Sequence, residues 1–329
     1  MKAITINSFG GPEQLNYSEA PIPQPEGDEI RIKNVIVGVG KPDYLVRSGN
    51  DPYLKDKLPG LIIGNESSGI VDAVGPDVKG FAVGDHVAML NPTGCGSHAE
   101  YSCGSERFAI KLPSDIPFEK LAGILNLQVA YAIIYDVARG TDAQSLYISG
   151  AAGGIGTTIV QVAMDKGLDV IASASSDEKC EVLRKLGVPH VFNYKTVDEA
   201  EELKKITNGR GVDIILDQTA GPAMVKRMDS LADFGMIILY NWLNGDPQFD
   251  QLNSIITNAP HARAIRSFSF HVYDNKTERR LANAEKVFEM VRQGRITPLI
   301  AAEFPLAEAK KAHELLDSGK AIGKIILKP

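Results

Sequence analysis

One segment constrains the fold more than any other. Leu146-Tyr147-Ile148-Ser149-Gly150-Ala151-Ala152-Gly153-Gly154-Ile155-Gly156 runs from an apolar stretch into a turn of glycine and alanine, and then into a helical pattern. A turn without side chains lets the backbone come close to a pyrophosphate. The helix it opens presents unpaired N–H groups and the positive end of its dipole. Such a turn is informative only in context. Here the context is a strict alternation, with strands expected at 145–149, 169–174, 191–194, 212–216 and 236–240. Helices are expected between them at 154–166, 177–186, 199–208 and 222–231. Repeated β-α-β units with short connections build a parallel sheet covered by helices on both faces. Gly153, Gly154 and Ile155 are the pyrophosphate candidates, and Gly156 permits close packing of the helix.

The flanking sequence has another character. Residues 2–7, 29–37, 69–74 and 86–90 are short apolar or alternating runs separated by Gly and Pro, as in a β-rich domain. A long helical stretch is expected at 117–138, further helices at 278–292 and 306–317, and a last strand at 323–327. The expected architecture is α/β: a doubly wound parallel Rossmann sheet, residues 121–267, inserted into a β-rich domain built from 1–120 and 268–329.

The strand at 169–174 leads into Ser175 and Ser176, with Lys179 following, where a site preferring NAD would place a carboxylate. Hydroxyls and an ammonium suit a 2′-phosphate, so NADPH is the expected cofactor. Asp177 and Glu178 lie close by, and they also fit the first turn of the next helix.

Charge and composition exclude several classes. The 35 Lys and Arg against 41 Asp and Glu leave a net charge of −6, so no nucleic-acid partner is expected. No run approaches a membrane span, and the strand-like start at Met1 carries no signal core. With three cysteines, Cys95, Cys103 and Cys180, no disulfide framework is expected, and the cytoplasm is the expected location.

The order of motifs resembles the medium-chain dehydrogenase/reductase superfamily, in its zinc-free quinone oxidoreductase (zeta-crystallin-like) branch. The matching segments are Phe9-Gly10-Gly11-Pro12-Glu13, Val83-Gly84-Asp85-His86-Val87, the glycine turn, and the C-terminal run from His313 to Leu327. The resemblance implies a GroES-like barrel for the β-rich domain. It also places Ser175, Ser176, Lys179 and Tyr194 at the 2′-phosphate and adenosine end. Gly40 and Asn65 stand where zinc relatives carry Cys and His, so no metal is expected. His86 and His98 are left to ordinary structural roles. A homodimer is implied, and the apolar strand 236–240 is the expected pairing edge.

Without a Lewis acid, the chemistry left open is hydride transfer to a small activated acceptor, a quinone or an α,β-unsaturated carbonyl. A tyrosine hydroxyl suits the acceptor oxygen. Tyr240 ends a strand at the carboxyl edge of the sheet. Gly235 to Asn241 also resembles a segment of the alkenal and prostaglandin reductases, which adds Asn241 to the cofactor-side candidates. Tyr53 is the second candidate and Tyr44 a weaker third. Gly40 replaces the Asn usual in the branch, and Val129 replaces a Thr. Both changes make the pocket less polar. An enoyl-thioester reductase and a cofactor-binding structural protein with little turnover remain the alternatives.

Overall fold

The computed structural model describes residues 1–50, 54, 57–91, 93, 95–138, 142–241, 245 and 262–329. Its contacts divide the chain into two units, Met1–Leu127 with Thr277–Pro329, and Gln128–Lys276.

The second unit is a six-stranded parallel sheet. Its spatial order is His190–Asn193, Asp169–Ala174, Ser145–Ile148, Val212–Asp217, Leu231–Leu239 and Ala264–Ser267. In order of appearance along the chain this is 3-2-1-4-5-6, the doubly wound arrangement. Ser145–Ile148 is buried along its whole length, as a central strand covered on both faces must be. Tyr147, Ile171, Ile215 and Ile237 from four adjacent strands form one core with Leu203, Met224 and Met228 from the helices. Reversal of strand order between Ser145–Ile148 and Val212–Asp217 places the ligand crevice at their carboxyl ends.

The first unit contains a seven-stranded, mostly antiparallel sheet centred on Glu29–Val39, which pairs with Glu66–Val74, Tyr101–Ser105 and Lys324–Lys328. A three-stranded sheet adds Asn16–Glu19, Lys2–Ile6 and Leu61–Ile62. Ile4, Ile6, Val37, Val39, Ile63 and Leu327 join the two sheets in one core.

Three local expectations need correction. The stretch at 117–138 is not one helix. Gly123 takes φ +72° and separates the 3-10 turn Phe118–Leu121 from the helix Ile124–Tyr131, which widens into a π-helical turn at Ala132–Val137. The strand expected at 236–240 begins earlier, as Leu231–Leu239. It carries a register break and Phe234 in the left-handed region, so Leu231 leaves the helix, which ends at Asp229. That strand is also no free edge for a second subunit, because Met236 to Leu239 pair with Ala264–Ser267, the outermost strand.

Candidate active site

At the carboxyl end of Ser145–Ile148 the chain turns through Gly150 at φ +69°, and Ala151 N donates to Ser173 O at 2.9 Å. A Cβ on Gly156 would lie 2.5 Å from Ala151 O, so this position accepts only glycine without displacing backbone. The helix Gly154–Asp165 starts from Gly153, which has extended geometry and no capping side chain. Its first intrahelical bond, Thr157 N to Gly153 O at 2.9 Å, leaves the amides of Gly154, Ile155 and Gly156 ahead of the ladder. Gly153 is exposed, and nothing lies within 4 Å of the Cβ it lacks. The loop is tied to the next strand by Gln218 Nε2, which donates to Ser149 O at 3.1 Å and Gly150 O at 3.2 Å. An open, uncapped helix start of this kind fits a pyrophosphate.

The candidates for the other phosphate converge one strand away. Ser176 caps the helix Asp177–Lys185 by accepting from Lys179 N at 3.3 Å. Lys179 Nζ donates to Ser175 Oγ at 3.3 Å. Tyr194 is brought to the same edge by its amide, which donates to Ala174 O at 3.1 Å. Partial burial and then the nearby Lys195 ammonium hold the Lys179 pKa below its ordinary value. Two ammonium groups at one strand edge suit a dianionic ligand, with the Glu178 carboxylate opposing more weakly. The competing carboxylate, Asp177, is engaged by Asn193 Nδ2 at 2.9 Å. Lys195 was not singled out from the sequence. Only the parallel pairing of Asp169–Ala174 with His190–Asn193 brings it to this cluster.

Tyr240 follows Leu231–Leu239, and its amide donates to Asp217 O at 3.2 Å. Its hydroxyl is buried and has no hydrogen-bond partner among the described residues. Burial, and then the Asp217 carboxylate, raise its pKa, with Arg227 opposing. The phenol therefore stays protonated and able to donate. Asn241 is next along the chain, at the same carboxyl edge. Tyr53 lies outside the described residues.

In the first unit, Gly40 begins the helix Lys41–Arg47. Asp43 turns back to accept from Gly40 N at 2.7 Å and Asn65 N at 2.8 Å. It therefore holds together Gly40 and Asn65, the two positions weighed above as sites of zinc ligands. Burial pushes the Asp43 carboxyl up to about 7, with the Lys324 ammonium opposing. Lys324 pairs with Glu66 in the same buried cluster. A Cβ on Gly40 would meet Lys324 Nζ at 3.5 Å and Pro42 Cδ at 3.7 Å, ordinary contacts, so sterics do not impose glycine here. Tyr44 stacks under Lys41 Nζ at 3.6 Å from its ring centre. Val129 is buried in the helix Ile124–Tyr131.

The residues present do not fit a zinc ion. Gly40 offers no donor and an Asn65 amide is a poor one. Among the described residues, no three of His, Cys, Asp and Glu are grouped to hold a metal. The two histidines have other partners. His98 Nε2 lies 3.3 Å from His313 Nε2, and His86 stacks on Phe118 at 4.9 Å.

Two family models match the chain: an alcohol dehydrogenase GroES-like domain over residues 26–114 and a zinc-binding dehydrogenase over 186–327. The 2-haloacrylate reductase of a Burkholderia species is 30% identical over 99% of this chain and 98% of its own length. The human quinone oxidoreductase is 28% identical over 99% of this chain and 97% of its own. The structure of Escherichia coli quinone oxidoreductase complexed with NADPH superposes with a TM-score of 0.91 at 26% identity, covering both chains completely. No helix among the described residues is long and apolar enough to cross a membrane.

Proposed function

The chain belongs to the medium-chain dehydrogenase/reductase superfamily, in its quinone oxidoreductase (zeta-crystallin-like) branch, and from that premise we propose an NADPH-dependent reductase of quinones or activated C=C bonds. The observation that carries the reading is the Ser175, Ser176, Lys179 and Tyr194 cluster one strand from an uncapped glycine loop. Gly153, Gly154 and Ile155 bind the pyrophosphate through backbone amides. Ser175, Ser176, Lys179 and Tyr194, with Lys195, hold the 2′-phosphate end, and Asn241 lies on the nicotinamide side.

NADPH supplies a hydride when bound. The protein's own residues orient it, exclude water and stabilise charge on the acceptor oxygen. Tyr240 is the proposed donor to that oxygen, kept in its neutral form by its surroundings. Tyr53 is proposed as a second group at the acceptor. Gly40 leaves the acceptor side without the usual amide, which favours an acceptor with an apolar body and one carbonyl. The units serve as an acceptor-binding frame and a dinucleotide-binding domain. A homodimer in the cytoplasm is the proposed working form.

The alternative within enzymes is an enoyl-thioester reductase. The 33% identical segment of a highly reducing polyketide synthase from Didymella fabae supports it, although this chain spans only 16% of that protein. Turnover of NADPH and NADH against a panel of quinones, enals and enoyl-thioesters tests these readings. NADPH consumption with quinones or enals is expected. A preference for thioesters points to the alternative, and saturable NADPH binding without turnover refutes both.

A further inference from the structure

Arg227 is assigned no contact with cofactor or acceptor above and acts on Tyr240 only through its charge, yet it is only 5% exposed. Its guanidinium makes four hydrogen bonds and one further ion pair. Nε donates to Glu199 Oε1 at 2.6 Å and Nη2 to Glu199 Oε2 at 3.4 Å. Nη1 reaches Thr219 Oγ1 at 2.6 Å and Asp217 Oδ1 at 2.8 Å, and Nη2 donates to Ser149 Oγ at 3.1 Å. These acceptors stand on three separate connections. Ser149 opens the glycine loop, Asp217 and Thr219 lie where the fourth strand ends, and Glu199 begins the helix after His190–Asn193. A planar fork bonded at Nε and at both Nη atoms fixes the relative height of all three, which a lysine with one point of charge does not.

We propose that Arg227 is the positioning residue of the pyrophosphate loop. It holds Ser149 so that the amides of Gly153, Gly154 and Ile155 face the dinucleotide, and it acts equally on NADPH and NADH. The inference rests on the reading that this loop holds the cofactor pyrophosphate. It separates two parts of the site. The pyrophosphate loop depends on Arg227, whereas the Ser175 and Lys179 cluster at the 2′-phosphate does not touch it.

The test measures dissociation constants of NADPH, NADH and adenosine 2′-monophosphate, which lacks the pyrophosphate. The proteins are wild type, Ser149→Ala, Arg227→Lys and Arg227→Met. S149A removes one bond and keeps the buried charge pairs. It is expected to weaken both dinucleotides by the same factor, roughly three- to tenfold, less than the full worth of a hydrogen bond to a charged group because the loss reaches the cofactor only through the loop. Adenosine 2′-monophosphate binds as before. R227M weakens both dinucleotides by more than about tenfold, and R227K recovers only part of the loss. If R227M fails to fold, S149A decides alone. Wild-type dinucleotide binding by S149A overturns the inference, as does an equal loss for adenosine 2′-monophosphate, which marks a general structural defect. A wild-type protein that binds neither dinucleotide overturns the cofactor reading itself.

Discussion

Removing the Lys179 ammonium separates the two cofactors. Its Nζ sits 3.3 Å from Ser175 Oγ, at the end of the strand where the 2′-phosphate is proposed to bind. A hydrogen bond between an ammonium and a phosphate contributes about 1.5–3 kcal/mol, or roughly 10- to 150-fold in affinity. Two features favour the lower part of that range. Lys179 is only partly buried, so solvent screens it, and Lys195 remains to face the dianion. Lys179→Ala is therefore expected to raise the NADPH dissociation constant roughly tenfold to thirtyfold and the NADH constant by less than about twofold. Fluorescence titration of each reduced cofactor measures both numbers on one preparation. Equal loss for the two cofactors, or no loss for NADPH, refutes the assignment of this cluster to the 2′-phosphate.

Other substitutions test other links. Gly156→Ala places a Cβ 2.5 Å from a backbone oxygen, so chemical denaturation should show a loss of about 1–3 kcal/mol together with weakened cofactor binding. Tyr240→Phe should lower kcat on an enone by about 100-fold while NADPH binding stays unchanged; retained kcat removes Tyr240 as the donor. The Asp43 carboxyl is raised from 3.8 to about 7, so the folded state holds a proton that the unfolded chain has lost, and stability falls as pH rises through this range. His313, lowered from 6.5 to about 3 by burial and Arg47, acts in the opposite sense: its contribution is present above 6.5 and is lost on acidification. Asp43→Asn should therefore make the unfolding free energy climb more steeply between pH 5 and 6.5, by on the order of a kcal/mol per pH unit. Parallel profiles for the two proteins contradict the assignment.

The parallel sheet was legible because its signals are local. A glycine turn between a buried strand and an amphipathic helix constrains the backbone within eleven residues, from Leu146 to Gly156. Ser176 and Lys179 stand together for the same reason, since a capping serine and the third residue of its helix are neighbours in sequence, and their place at the 2′-phosphate is what the Lys179→Ala titration tests. Arg227 was not. Its acceptors lie 78, 28 and 8 residues away, and on its own helix it reads as one more basic residue in the last turn. The π-helical turn at Ala132–Val137 left no mark in the apolar spacing, because the helix before it and the turn itself are apolar around much of their circumference. The early start of Leu231–Leu239 was hidden by Phe234, whose left-handed backbone no propensity for phenylalanine predicts. Gly40 was legible as a departure, but the structure changes its meaning. The position has room for a Cβ, so packing does not impose the glycine.

Hydride transfer itself is tested most directly by isotope. The protein is incubated with NADPH carrying deuterium at both C4 positions and an α,β-unsaturated aldehyde or ketone, and the product is read by mass spectrometry and NMR. Reduction with one deuterium at the β-carbon and a solvent-derived proton at the α-carbon is the predicted result. A product without deuterium, or NADPH bound and never consumed with any enone or quinone, contradicts the account.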